Sequence, residues 1–182
     1  MERVSFGARS TRSALYVVYV LSALSVLSCE IRIDDRSTTE ANLEAAAREA
    51  ILGELRDYYR DFSALDSAAF AGHFWPGADV TTAWRPPGEA AVRVVVTPVE
   101  AFITQWPQGP ASKPIFEEWM QSAEVRLRGN LAQVWARYGA RFGDSAAVQE
   151  WEGIDAFTMM RAEGRWRIVE LAFASLTAES ED

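Results

Sequence analysis

Few side chains in this sequence can carry chemistry, and they lie far apart. Two carboxylates stand inside otherwise apolar, strand-like runs: Asp155 in Gly153-Ile-Asp-Ala-Phe157, and Glu170 in Trp166-Arg-Ile-Val-Glu-Leu171. A carboxylate held among apolar residues must find a partner or keep a proton, and either state suits proton transfer. Strand alternation puts Trp166, Ile168, Glu170 and Ala172 on one face. With Trp166 in a core, Glu170 points inward, which makes it the first candidate and Asp155 the second. The plain alternative for both is a rim position against water or an arginine. Tyr58 and Tyr59 fall in a helical stretch with an apolar stripe and could simply pack with their hydroxyls at a rim. The only histidine, His73, closes a short helical stretch. It is either half of a catalytic pair or a helix-end residue favoured by the dipole. One His and one Cys (Cys29) exclude both an internal disulfide and a zinc site built from several such ligands. No metal or cofactor is expected.

Composition narrows the partners. The chain has 182 residues, 49% hydrophobic, with seven Trp and nine Phe, enough for a substantial core. Its formal net charge of −8 argues against nucleic acid, which needs a basic surface. Trp84, Trp119 and Tyr138 could line a pocket for an apolar or ring-shaped ligand together with Glu170; otherwise they fill the core.

The elements that must position these groups are readable from period and caps. Leu43, Ala47, Ile51, Leu55, Tyr58 and Phe62 form one apolar stripe, so a helix runs over about 40–62. Asp66 is placed to cap a short helix over 67–74, ended by Pro76-Gly77. A strand over 78–84 and a strand-like run over 93–97 flank the turn at 85–88. Thr97-Pro98-Val99-Glu100 has the form of a capped helix start, and Pro107 stops that helix. The period then falls to 2, giving strands over 115–128, 131–143, 148–161 and 165–175. On the second of these, Ala132, Val134, Ala136, Tyr138 and Phe142 face inward. Trp135 faces outward, joined by Val169, Leu171 and Phe173 by the same parity. Such an apolar outer row predicts a homodimer through the outer sheet face.

The N-terminus reads as a targeting segment. Arg3, Arg9 and Arg12 precede an uncharged stretch from Ser13 to Cys29, the layout of a signal peptide. Val26-Leu-Ser-Cys29 resembles a bacterial lipobox, which implies acylation of Cys29. The expected organisation is a signal peptide over 1–28, a lipid-anchored tether over 29–38, one domain over 39–175 and an acidic tail over 176–182. Cleavage before Cys29 leaves 15 basic and 25 acidic residues, a charge of −10, so the acyl chains rather than the domain would hold an anionic membrane surface. The expected location is exported, in the cell envelope. A plain secretory signal and an uncleaved anchor helix are the alternatives.

The order of elements, with Leu65-Asp66 through Asp79, Thr97-Pro98-Val99-Glu100, Gly129-Asn130 through Val134, and Gly153 through Phe157 with Gly164 through Ile168, resembles the SnoaL-like branch of the nuclear transport factor 2-like superfamily over about 40–175. The resemblance implies an α+β fold, a cone-shaped curved antiparallel sheet with about three N-terminal helices enclosing a pocket. It places Tyr58 and Tyr59 where ketosteroid isomerase-like proteins keep an oxyanion Tyr. Such proteins carry their base on the first strand, which here reads Val80-Thr-Thr-Ala-Trp84 without a carboxylate. SnoaL-like cyclases pair a His with an Asp, which directs attention to His73. Two functions therefore stand side by side: a lipid-anchored domain that binds a small apolar ligand or a partner without catalysis, and an acid–base isomerase, dehydratase or cyclase using Glu170 or Asp155 with a Tyr of the first helix.

Overall fold

The computed structural model describes the backbone of residues 12–84 and 91–176, and side chains over 37–83 and 91–176. The chain divides into two compact units at Ala45/Ala46. The first unit is helical from Arg12, the start of α1 (Arg12–Ser63). No Gly or Pro interrupts residues 13–52, so nothing in the stretch expected as a tether breaks a helix. The side chains of the expected signal peptide and of Cys29 lie outside the described set, as does the tail from Thr177. Leu43, expected to open the apolar stripe, is 66% exposed.

The second unit begins with the rest of α1, whose Ile51, Leu55, Tyr58, Tyr59 and Phe62 are buried. Their spacing of three and four residues is the stripe of an amphipathic helix. Each such side chain contributes about 1.5–3 kcal/mol when fully buried. Asp66 accepts from the Ala69 amide at 3.0 Å and opens α2 (Ser67–Gly72). This helix stops before Pro76-Gly77. Those two residues lie inside β1 (Phe74–Trp84), where the pairing slips between Phe74 and Asp79 and Gly77 adopts φ +81°. They make a bulge in a strand rather than a helix stop. β2 (Arg93–Pro98) runs into α3 (Val99–Thr104). Thr97 stays in the strand opposite Val80, so Pro98, not Thr97, occupies the cap position and no side chain caps the helix. Two 3₁₀ turns follow, Trp106–Gln108 and Pro110–Ser112.

The remaining strands fall where the period of 2 put them: β3 (Ile115–Arg128), β4 (Leu131–Gly143), β5 (Val148–Ala162) and β6 (Arg165–Ser175). The six strands form one sheet in the order β2-β1-β6-β5-β4-β3, antiparallel except for β1 beside β6. This is the curved α+β sheet expected, with helices on its concave face.

Two bulges decide which side chains face in. In β3 the pairing runs Met120 to Tyr138 and then Ser122 to Arg137, leaving Gln121 as an extra residue. Phe116, Glu118 and Met120 therefore share the inner face with Ala123, Val125 and Leu127, although their parities differ. In β6 the pairing runs Thr158 to Glu170 and then Met159 to Ile168, leaving Val169 extra. Trp166 and Ile168 point inward, 4% and 0% exposed, and so does Leu171 at 2%. Each bulge reverses the faces beyond it.

Candidate functional site

The sheet and the helices enclose a cavity of about 440 Å³. Tyr58 and Phe62 of α1 and Phe102 of α3 line one side. Gln108, Gly109, Pro110 and Ser112 of the 3₁₀ turns close a second. The sheet supplies Phe116 and Glu118 from β3, Tyr138 and Phe142 from β4, Trp151 and Asp155 from β5, and Leu171, Phe173 and Ser175 from β6. Half of these sixteen residues are aromatic, so the walls are apolar with a few convergent polar groups, the usual build of a small-molecule site.

Small residues make the room. On β4, Ala136 stands opposite Asp155 and Ala140 opposite Glu118. The two carboxyls thus enter from the strands on either side of β4, with Tyr138 between them. Tyr138 leans over its cross-strand partner Gly153, where a Cβ would sit 2.2 Å from the Tyr138 Cζ. Any other residue at 153 would push this ring away. Trp151 of β5 and Ser175 of β6 border the same part of the cavity.

Asp155 is 2% exposed and its Oδ2 accepts from the Tyr59 hydroxyl at 2.6 Å. Burial pushes its pKa up to about 7, against the downward pull of that hydrogen bond. Glu118 is half-buried, open only toward the cavity. Burial, and then the Asp155 charge, hold it well above the usual carboxylate range. Two carboxyls that open into one cavity titrate as a pair, and burial favours its proton-bearing form. Burial also raises Tyr58 and Tyr59, with Asp155 the next cause for each, and lifts Tyr138 to about 12 with Glu118 and Asp155 adding. All three phenols stay protonated at neutral pH. The cavity therefore presents O–H donors and one pair of carboxyls that can both donate and accept. Among the described residues none that lines the cavity is Arg, Lys or His.

The expected site residues separate on this geometry. Asp155, Tyr58 and Tyr138 face the cavity, and Tyr59 supports Asp155 from behind. Glu170, the first candidate, is exposed, because the Val169 bulge turns it out and turns Leu171 and Phe173 in. Trp119 is 41% exposed and lies on the outer face across Gly139, because the Gln121 bulge reverses β3. Leu171 and Phe173 accordingly leave the outer row proposed for pairing, Val169 is half-buried in the bulge, and Trp135 stays outside at 53% exposed. Trp84 ends β1, its side chain outside the described set.

His73 does not reach the cavity. Its Nδ1 lies 2.8 Å from Glu54 and its Nε2 3.0 Å from Asp61, both on α1. A ring bonded to carboxylates at both nitrogens needs both protons, so it is an imidazolium. Burial lowers its pKa, but the bonds to Glu54 and Asp61 outweigh this and raise it. The residue fastens α1 to the start of β1. Sequence reading missed Glu118. Its signal was the adjacent pair Glu117-Glu118 in a strand, where alternation turns one of the two inward. Among the described residues no cluster of His, Cys, Asp or Glu could hold a metal ion.

The Asp155 carboxyl binds its proton more tightly folded than unfolded. Its contribution to stability is therefore greatest in acid and falls as pH rises from about 4 to about 7, by up to about 1.4 kcal/mol per pH unit. Urea unfolding followed across that range checks this. Asp155→Asn should make the downward slope shallower than in the parent chain, leaving the share that belongs to Glu118; parallel profiles would contradict the assignment of a raised pKa to Asp155.

Solved structures share this architecture. A "Putative Scytalone Dehydratase" from Novosphingobium aromaticivorans DSM 12444 superposes with TM-score 0.60 at 15% identity, covering 76% of this chain and 89% of that one. An NTF2-like protein with a cystatin-like fold from Novosphingobium aromaticivorans gives 0.60 at 17% identity, covering 78% and 90%. The CaMKII hub homology domain of Chlamydomonas reinhardtii gives 0.55 at 17% identity, covering 72% and 99%. At these identities the likeness is one of fold. No curated protein matches the chain. The model of the family described as "Putative lumazine-binding" matches residues 46–174, well over half the sequence, and the chain belongs to that family, on a nuclear transport factor 2-like fold.

Proposed function

We propose that the domain binds a small, largely apolar ring molecule inside the cone, with its polar edge against Asp155 and Glu118. The observation that carries this reading is the cavity of about 440 Å³. Eight aromatic side chains wall it, and the polar groups gather on the β3–β4–β5 side. The family description supplies a first ligand to try, lumazine. Native mass spectrometry and fluorescence titration of the full chain against lumazine and apolar bicyclic analogues test it. One of these should bind in the micromolar range, and Gly153→Leu, which fills the space taken by Tyr138, should weaken it at least tenfold. No binding by any ring of this size would overturn the reading.

Acid–base catalysis is the second reading, favoured by the Tyr59–Asp155 hydrogen bond of 2.6 Å and by a carboxyl poised near neutrality in a cavity. An enolisable bicyclic ketone in heavy water separates the two. Hydrogen exchange lost in Asp155→Asn supports catalysis; exchange no faster than in that variant supports binding alone.

The protein is further proposed to be exported and held at a membrane surface of the cell envelope by acyl chains on Cys29. The support is the charge and hydropathy pattern of residues 1–29 and the single cysteine at its end. Incorporation of a fatty-acid analogue should disappear in Cys29→Ser; unchanged labelling would reject the anchor. A homodimer through the outer sheet face is proposed on Trp135 with Trp119, 53% and 41% exposed. Large aromatic side chains standing this far out mark a partner surface. Sedimentation should show a dimer that Trp135→Glu dissociates, and a monomer at high micromolar concentration would reject it.

A further inference from the structure

The charge inventory of the cavity restricts its ligand more tightly than its shape does. Two carboxyls, Glu118 and Asp155, open into it, and among the described residues no cation lines it. The Glu118 carboxyl has no hydrogen-bond partner among the described residues; the bonds of this residue are made by its backbone amide and carbonyl to the Ser63 hydroxyl. Asp155 uses one oxygen to accept from Tyr59 and leaves the other. A buried carboxylate without a counter-charge is costly, and buried charge in native proteins is paired. The missing positive partner of this pair has room beside it, and the surrounding aromatic faces suit a cation on a ring system.

We infer that the ligand of this cavity carries a basic nitrogen, and that its cationic centre sits between Glu118 and Asp155 with its ring among Phe62, Phe116, Trp151 and Phe173. This rests on the binding reading above and narrows it. An anionic ligand is disfavoured: with no Arg, Lys or His among the described residues that line the cavity, a carboxylate or phosphate would meet only like charge there.

The inference has a signature in pH. In the free protein the pair keeps a proton. The groups facing it are Tyr58 and Tyr59 from α1 and Tyr138 from β4, all held protonated, while β6 presents the uncharged Leu171, Phe173 and Ser175. Only the carboxyls therefore change charge near neutrality. Seating a cation expels their proton, so affinity for a cation rises as pH rises through about 7, by up to about tenfold per unit for one proton. A neutral ring of the same shape shows no such gain.

Three probes of one shape test this: 1-naphthylmethylamine as its ammonium ion, 1-naphthylmethanol and 1-naphthoate. Each is titrated into the full-length chain in detergent micelles, with empty micelles as the blank, at about pH 5.5 and about pH 8.5. At the higher pH the ammonium probe should bind at least tenfold tighter than the alcohol, and the advantage should shrink at the lower pH. The naphthoate should not bind. Glu118→Gln should lower the ratio of ammonium to alcohol affinity at least tenfold at about pH 8.5, with an unfolding midpoint no lower than that of the parent chain. Alcohol binding as tight as or tighter than the ammonium ion at both pH values would overturn the charge inference and leave the ring-binding reading standing. Failure of all three probes would overturn both.

Discussion

The hydrogen bond from Tyr59 to Asp155 is the constraint around which the site is arranged. A carboxyl 2% exposed keeps its place only if a donor reaches it, and the donor comes from a helix rather than from the sheet. The register of α1 on the sheet is therefore fixed by function as well as packing. Three polar ties hold it. Arg48 donates to the Val125 carbonyl at 2.5 Å, and Ser63 bonds both the amide and the carbonyl of Glu118 at 2.8 Å. His73, between Glu54 and Asp61, ties the middle of the helix to the chain entering β1. A slip of one residue would bring Tyr58 or Arg60 to Asp155. As the helix stands, neighbouring tyrosines divide the work: Tyr59 supports the acid and Tyr58 faces the cavity.

Emptiness in the middle of an aromatic core also needs explaining. Tyr58, Phe62, Phe70, Phe102, Trp106 and Phe116 contact one another with ring centroids 4.9–6.1 Å apart. That cluster could fill the cone, yet it stops short of the sheet opposite. There Ala136, Ala140 and Gly153 present almost no side chain, and each stands beside a group that lines the cavity. The floor is low where the carboxyls and Tyr138 need space, and large where the helices pack. Shape complementarity within the cluster carries the stability, and the small residues carry the site.

The strands whose alternation is unbroken could be read correctly. The inner set of β4 followed from parity alone, and Asp155 of β5 stood out as a carboxylate between apolar strand residues. The two strands that carry bulges could not be read this way. Gln121 and Val169 are ordinary strand residues with no Gly or Pro beside them, so nothing local marks an extra residue, yet each flips every face beyond it. Trp119 and Glu170 were expected in the cavity and lie outside; Leu171 and Phe173 were expected outside and lie within. One contrast held a clue: Trp166-Ile168 and Leu171-Phe173 are two apolar pairs of opposite parity in one strand, which both face a core only if a residue is inserted between them. Which of Tyr58 and Tyr59 meets the acid depends on the helix phase set by the tertiary ties above, and those join residues up to 77 apart in sequence.

Two carboxyls in this interior lower the stability of the fold. A buried carboxyl costs desolvation whenever it ionises, and here an apolar replacement would cost little packing, since both groups border empty space. Charge elsewhere is treated differently. On the outer face Arg137 pairs with Glu152, and Arg141 lies 3.2 Å from Glu117 and 3.1 Å from Glu150, so acids outside are matched by arginines across the strands. None of the described arginines lines the cavity, although β4 carries two of them, Arg137 and Arg141, in alternation with its inward residues. A sheet that balances its outer acids and leaves its inner ones unmatched, beside a space of ligand size, has the form of a site whose balancing charge arrives from outside the chain.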